Sequence, residues 1–379
     1  MTHRERVLAA ISHRAPDMVP LDLGGTRNSS IVVEGYERLK TRFGVRDDSL
    51  LFDRMQRCVE VDEHILRALD IDTRAVPGGL PSQLPPQPAD HNRYGDSWGV
   101  ERVQPSGSYY YDQERFPLTG EITVSDIAGY PWPDPEDAGL TRGVKERLRW
   151  IRQNTDCAAV LTIPAPFVHT SQYLRGFEDW FIDFATGRTR LAALFDAVLE
   201  INLRVAERLL REAGDDADVV VCGDDLGGQN GLLVSDEDYR KLIKPRHAAY
   251  FRQVHELSGA KLLFHCCGSV ISILDDLVEI GVDVLNPVQV TARGMAPGEL
   301  KRKYRGSLAF WGAMDTQHVL PAGTVEDVRR MVEQRIEELG EGGGYVLAAC
   351  HNLQPDVPLE NILAMFEHAR EYRPSFGKA

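Results

Sequence analysis

Short apolar runs recur through the second half of the chain, each followed by a stretch with helical spacing. Ala158-Ala159-Val160-Leu161-Thr162-Ile163, Asp218-Val219-Val220-Val221-Cys222-Gly223, Lys261 to Cys266, Val282 to Leu285, Leu308-Ala309-Phe310-Trp311 and Tyr345 to Ala349 read as strands. They are apolar throughout instead of alternating, the pattern of parallel strands covered on both faces. Helical spacing fills the gaps at about 140–154, 177–186 and 188–213. A helix capped by Ser235 is expected to stop near Lys244-Pro245, with another running on to His255. Further helices follow at about 270–280, 297–304, 324–339 and 358–371. Nearer the start, Met1 to Ile11 reads as an amphipathic helix with Thr2 as cap and Glu5 three residues on. Residues 32–45 and 54–70 also read as helices, and Pro20 to Gly25 and Thr73 to Val76 as short strands. Eight strands alternating with helices favour an α/β fold closed as a (β/α)8 TIM barrel over an open sheet.

One region breaks the rhythm. Pro77 to Pro88 is rich in Pro and Gly, Asp90 to Gly99 follows, and strand-like pieces run from Trp98 to Thr123, among them Tyr109-Tyr110-Tyr111. We read residues 1–379 as a single barrel domain with an N-terminal helical extension and a β-rich insertion at about 77–125. Tyr130-Pro131-Trp132-Pro133-Asp134-Pro135 is a stiff connection, because each proline fixes its own φ and restricts the residue before it.

The net charge of -14 over 379 residues, with no basic cluster, argues against a nucleic-acid role. It also repels anionic substrates unless a local cluster offsets it. No apolar run reaches the length of a membrane span and nothing reads as a signal peptide, so a cytoplasmic location is expected. Six cysteines in such a chain are better read as thiols or metal ligands than as disulfides.

In a barrel of this kind chemistry sits at the C-terminal strand ends. His265 and Cys267 close one strand and, two residues apart, project to the same side. Cys350 closes another strand. An N/S set of this type suits zinc, and three protein ligands leave a position open, as in catalytic sites. Cys58, Cys157 and Cys222 are better read as small buried hydrophobes. Cys266 lies between the two proposed ligands and is expected to face the other way. Asp224 and Asp225 are candidate catalytic groups, either orienting His265 or supplying a displaceable ligand; the bland alternative is one cap and one solvated acid. His351 is a candidate proton donor or a rim residue. Gln229, Asn286 and Gln289 are candidate substrate contacts. Asp315 is a further candidate contact or a cap, and His169 a weaker candidate. Gly342-Gly343-Gly344 lacks the Lys and Ser/Thr of a phosphate loop and reads as a helix stop.

Several segments together resemble the uroporphyrinogen decarboxylase superfamily, and within it the cobalamin-dependent methyltransferase branch. They are Arg4 to Ala10 with Pro16-Asp17-Met18-Val19-Pro20; Tyr130 to Pro135; Leu174-Arg175-Gly176-Phe177-Glu178; Gly223-Asp224-Asp225-Leu226-Gly227-Gly228-Gln229; and His265-Cys266-Cys267-Gly268. The resemblance implies a (β/α)8 barrel. The decarboxylases hold porphyrinogen carboxylates with paired arginines near the N-terminus, whereas Leu21 to Ser29 here contains only Arg27. The methyltransferase branch carries His-x-Cys and a distant Cys as zinc ligands, a pattern that maps onto His265, Cys267 and Cys350.

The resemblance therefore implies a zinc methyltransferase moving a methyl group between a small substrate and cobalamin carried by a partner corrinoid protein, with a homodimer compatible. No Asp-x-His-x-x-Gly run for holding cobalamin is found in the chain itself. Two other classes compete: a metal-independent lyase acting on a small carboxylic acid, with Arg27 and Arg175 as candidate contacts, and a non-catalytic corrinoid-binding protein.

Overall fold

A computed structural model describes residues 1–84, 87 and 92–374. Seven parallel strands form the central sheet: β1 (Thr73–Val76), β2 (Ala158–Thr162), β3 (Val219–Gly223), β4 (Lys261–His265), β5 (Val284–Asn286), β6 (Ala309–Met314) and β7 (Tyr345–Ala349). Each pairs in parallel with the next in chain order. The eighth expected strand is a single bridge instead of a ladder. Leu21 pairs with Leu347, Asp22 N–H donates to Leu347 O (3.0 Å), and Asp72 N–H donates to Leu21 O (3.0 Å). Pro20 to Asp22 thus joins β7 to β1 and curls the sheet into a TIM-barrel-like fold.

The strands are apolar on both faces because both faces are buried. Ala158, Val160, Val219, Val221, Leu263, Val284, Trp311 and Val346 form an inner core, with Val7 and Ile11 of the first helix packed against it. That helix (His3–Ile11) starts with the expected capping box between Thr2 and Glu5. Most expected helices are present, including Phe177–Thr186, Arg188–Ala213, Val325–Leu339 and Leu359–Glu371.

Two further expectations need correction, and one helix is new. Residues 54–70 do not form one helix: Leu51–Asp53 and Cys58–Val59 pair antiparallel, and a short helix, Glu63–Ala68, follows with Asp62 as its cap. Asp53 Oδ1 accepts from Gln56 N–H (2.7 Å) and Arg57 adopts φ 53°, which together turn the chain where a helix would continue. Pro245 does not stop its helix. A π-helical turn at Tyr239–Ile243 leads straight into Lys244–Leu257, where Pro245 sits in the first turn and its missing N–H costs nothing. A helix at Val168–Arg175 went unforeseen.

Within the expected insertion, Arg93–Gly95, Glu101–Val103 and Asp112–Arg115 form a three-stranded antiparallel sheet. The readings that touch residues 85, 86 and 88–91 lie outside the described residues. Among the described residues, no helix is long and apolar enough to cross a membrane.

Candidate active site

Two glycines let neighbouring strand ends meet at the C-terminal end of the barrel. A Cβ on Gly223 would stand 2.6 Å from His265 Cβ, and one on Gly268 would stand 2.4 Å from the Gly227 carbonyl carbon. Gly268 also has φ +82°, a conformation glycine adopts without penalty. The loops after β3 and β4 therefore touch backbone to backbone, and Ser269 N–H donates to Gly228 O (2.8 Å).

This contact brings together His265, Cys267 and Asp225. The Nδ1–H of His265 donates to Asn286 Oδ1 (2.6 Å), while Asn286 Nδ2 donates to Trp311 O (3.1 Å). Both ends of Asn286 are thereby engaged, which makes it an orienter of His265 and not a free substrate contact. The bond also fixes the tautomer, leaving the Nε2 lone pair pointed at Cys267 Sγ, 3.3 Å away. Burial lowers the His265 pKa to about 4, so the ring is neutral. Ligand atoms of His265, Cys267 and His351 lie within 4.8 Å of one another. Cys350 borders the same cavity as Cys267 and His351, but its thiol donates to Val288 O (3.1 Å) and it stands outside that cluster. Burial, with Asp225 nearby, pushes the Cys267 thiol up; burial raises Cys350 to about 12. Cys266 faces the other way, fully buried, with Leu226 N–H donating to its sulfur (3.3 Å).

The adjacent acids separate in role. Asp224 is fully buried and accepts from the N–H groups of Phe167, Val168 and His169 at 2.9–3.1 Å, capping the Val168–Arg175 helix from outside; His247 Nε2 lies 3.1 Å from its Oδ2. With those partners it anchors a helix and does not face the cluster. Asp225 accepts from Cys267 N–H (2.7 Å), and its Oδ2 lies 3.2 Å from His169 Nε2. That nitrogen is also 3.1 Å from the Asp225 N–H, but the carboxylate favours a proton on Nε2, so the ion pair is the stronger contact. Burial opposes ionisation of Asp225, yet the His169 charge and hydrogen bond, His265 and the Cys267 N–H hold its carboxyl well below the usual range. Against its own burial, His169 is raised by Asp225 and Asp224.

Gln289 and Gln229 form a chain across three loops. Gly268 N–H donates to Gln289 Oε1 (2.8 Å), Gln289 Nε2 to Gln229 Oε1 (3.0 Å), and Gln229 Nε2 to Thr291 O (2.6 Å). Asp315 accepts from the N–H groups of Gln317 (2.8 Å) and His318 (3.3 Å) and so caps its own turn. Sequence reasoning missed Tyr110 here. Its hydroxyl hydrogen-bonds Asn352 and accepts from Gln354 Nε2 (2.9 Å) at the edge of the Cys350 cavity. The position of His351 directly after Cys350 was the signal for its place in the cluster.

Two cavities meet at this group. One of about 670 Å³ is bordered by Cys267, Cys350, His351, Gln229 and Gln289. The other, about 1250 Å³, reaches from His265 and His169 out beneath the three-stranded sheet.

Comparison with known proteins shows the family and the fold. The uroporphyrinogen decarboxylase (URO-D) family model matches residues 110–372, and the chain belongs to that family of enzymes. It is 23% identical over 343 residues to the uroporphyrinogen decarboxylase of Thermus thermophilus, covering 89% of this chain and 90% of that one. It is 27% identical over 182 residues to the methylcobamide:CoM methyltransferase MtaA of Methanosarcina barkeri, covering 47% and 49%. Among solved structures, a methyltransferase from Methanosarcina mazei superposes with a TM-score of 0.69 at 19% identity, covering 98% of this chain and 99% of that one, and shares the fold.

Proposed function

We propose that the protein is a zinc-dependent methyltransferase that moves a methyl group between a small substrate and a corrinoid carried by a separate protein. The observation that carries this reading is the His/Cys group at the mouth of the barrel, with His265 buried and held by Asn286, Cys267 and His351 half-buried, opening onto two cavities. The similarity to a methylcobamide:CoM methyltransferase supports it.

The donor set fits a zinc ion. His265 presents a neutral nitrogen of fixed tautomer, and the thiols of Cys267 and Cys350 complete the proposed ligand set, with His351 beside them. Zinc held there would supply positive charge that favours a thiolate over a thiol, or polarises an oxygen carrying the methyl group. The chain's own groups prepare that site. Asn286 stops the imidazole from rotating, and Asp225 fixes the backbone of Cys267 through its N–H. The Gln289–Gln229 chain holds the turn at Gly268. Because burial keeps both thiols protonated, loading releases protons and is favoured as pH rises. The larger cavity exceeds the ~300–1,000 Å³ typical of small-molecule sites, which supports entry of a second, bulkier reactant beside His265.

The test is zinc content by elemental analysis together with methyl exchange against a purified corrinoid protein. About one zinc per chain is expected in the wild type, with loss of metal and of exchange in Cys267→Ser and Cys350→Ser. Retention of zinc in Cys350→Ser with loss in His351→Ala would replace Cys350 by His351 in the ligand set. A zinc-free protein that decarboxylates a small acid equally well in chelator would overturn the proposal.

A further inference from the structure

The larger cavity has a chemistry that the metal reading does not explain. Its far side is aromatic. Trp98 and Trp132 meet edge to face at 6.2 Å, Tyr130 and Trp132 at 4.8 Å, and all three are only partly buried against the core. Three arginines also border it, in a chain whose net charge is -14.

Their acceptors fall short of their donors. Arg102 is buried, and its Nε and Nη2 reach Asp96 Oδ2 at 3.3 and 3.2 Å. The other oxygen of Asp96 is held by the N–H groups of Trp98 and Val100, both at 3.0 Å. Arg102 Nη1 points at Met55 Sδ (3.0 Å), and a thioether is a weak acceptor. Arg27 has one long contact, 3.3 Å, to Asp53. Arg54 lies over the Tyr94 ring at 4.0 Å, and its charge faces no carboxylate among the described contacts. Around Arg102 the three guanidinium groups thus stand against the two carboxylates of Asp53 and Asp96, inside a recess with low-dielectric walls. Of the cavity's three other carboxylates, Glu136 is paired with Arg204 and Arg208, Asp137 accepts from Ser82 and the Gly139 N–H, and Asp134 accepts from the Glu136 N–H. Such a recess favours an anion, and its walls favour a flat ring.

We propose that this chamber binds a small aromatic carboxylate, with the carboxylate at Arg102 and Arg54 and the ring against the Trp98–Trp132 wall. The inference rests on the function proposed above, because a ligand there lies in the cavity that His265 borders and would be the methyl-bearing or methyl-accepting substrate. Binding itself requires neither metal nor partner protein.

The probe is benzoate, titrated into the full chain and followed by tryptophan fluorescence and calorimetry. The comparison ligands are cyclohexanecarboxylate, which lacks the flat ring, and benzyl alcohol, which lacks the charge. Saturable benzoate binding is expected, with at least about tenfold weaker binding of benzyl alcohol, the loss expected of one charge-assisted contact, and several-fold weaker binding of cyclohexanecarboxylate, which keeps the charge but loses the flat-ring contact. Arg54→Gln, at an exposed residue without an ion pair, should weaken benzoate several-fold with unchanged circular dichroism. Arg102→Lys keeps the charge for Asp96 but loses the fork, and should weaken it more. Equal binding of the three ligands, no saturable binding, or full affinity in folded Arg54→Gln and Arg102→Lys would each overturn the proposal. Zinc content, measured on the same samples, separates that failure from failure of the metal reading.

Discussion

The two ends of the barrel use buried polar groups in opposite ways. At the N-terminal end the buried carboxylates Asp72 and Asp218 are matched. Asp72 accepts from Arg6 Nη1, Arg370 Nη2 and the Leu21 N–H, each at 2.6 Å. Asp218 accepts from Arg4 (2.8 Å), Arg152 (2.9 Å) and the Ala159 N–H (2.8 Å). At the C-terminal end Asp224 and the Asp225–His169 pair are partnered too, but the thiols of Cys267 and Cys350 and the neutral His265 ring beside them make only weak contacts through sulfur. A matched charge holds a fold and has little more to gain from a ligand. A buried thiol beside an imidazole lone pair has much to gain from a metal. The same scaffold therefore places its strength at one end and the proposed metal site at the other.

The comparison is broken most easily from the bottom. Asp72→Ala leaves Arg6 and Arg370 without their shared carboxylate, and a loss of about 3–5 kcal/mol in urea unfolding is expected. A loss under about 1 kcal/mol would mean that this end is no stronger than the other. At the top, Asn286→Ala frees the His265 ring, and competition with a chelator should show zinc affinity reduced by about 10–100-fold. Unchanged affinity would remove Asn286 from the account.

A smaller effect sharpens the contrast at the lower end. Lys301 is buried and donates to the Gly343 carbonyl instead of a carboxylate; burial, then Arg305, lowers its pKa from 10.5 to about 8. Between these values the unfolded chain holds the proton more tightly, so stability rises with pH across that window. The rise, on the order of 2 kcal/mol, should be absent from Lys301→Met when denaturation is compared at pH 8 and 10.5. The smallest effect belongs to Cys266→Ala, which should cost about 1 kcal/mol or less and leave zinc content unchanged.

The barrel was legible because its strands are buried on both faces and so read as unbroken apolar runs. The closing segment was less so: Leu21 makes one bridge, and two ladder bonds around it are too few to leave a pattern. The Leu51–Val59 hairpin was hidden because its turn depends on an Asp53 side chain and on Arg57 in the left-handed region. At the candidate site, residue types at strand tips named His265 and Cys267, and the structure brings them together. Partnerships across loops were not legible. Asp224 and Asp225 are neighbours in sequence, and only folding reveals that one caps a helix while the other meets Cys267. The Val168–Arg175 helix that Asp224 caps lacks a side-chain cap of its own, which is why no start signal marked it.

The chamber over His265 is built from two inheritances. The strand tips contribute His265 and, beside it, Cys267, Cys350 and His351, whereas Tyr94, Trp98 and Arg102 come from the three-stranded sheet and its turns. A lineage could exchange the latter without disturbing the former. Enzymes descended from one barrel would then share a reaction and differ in diet, and divergence should run fastest between residues 93 and 115.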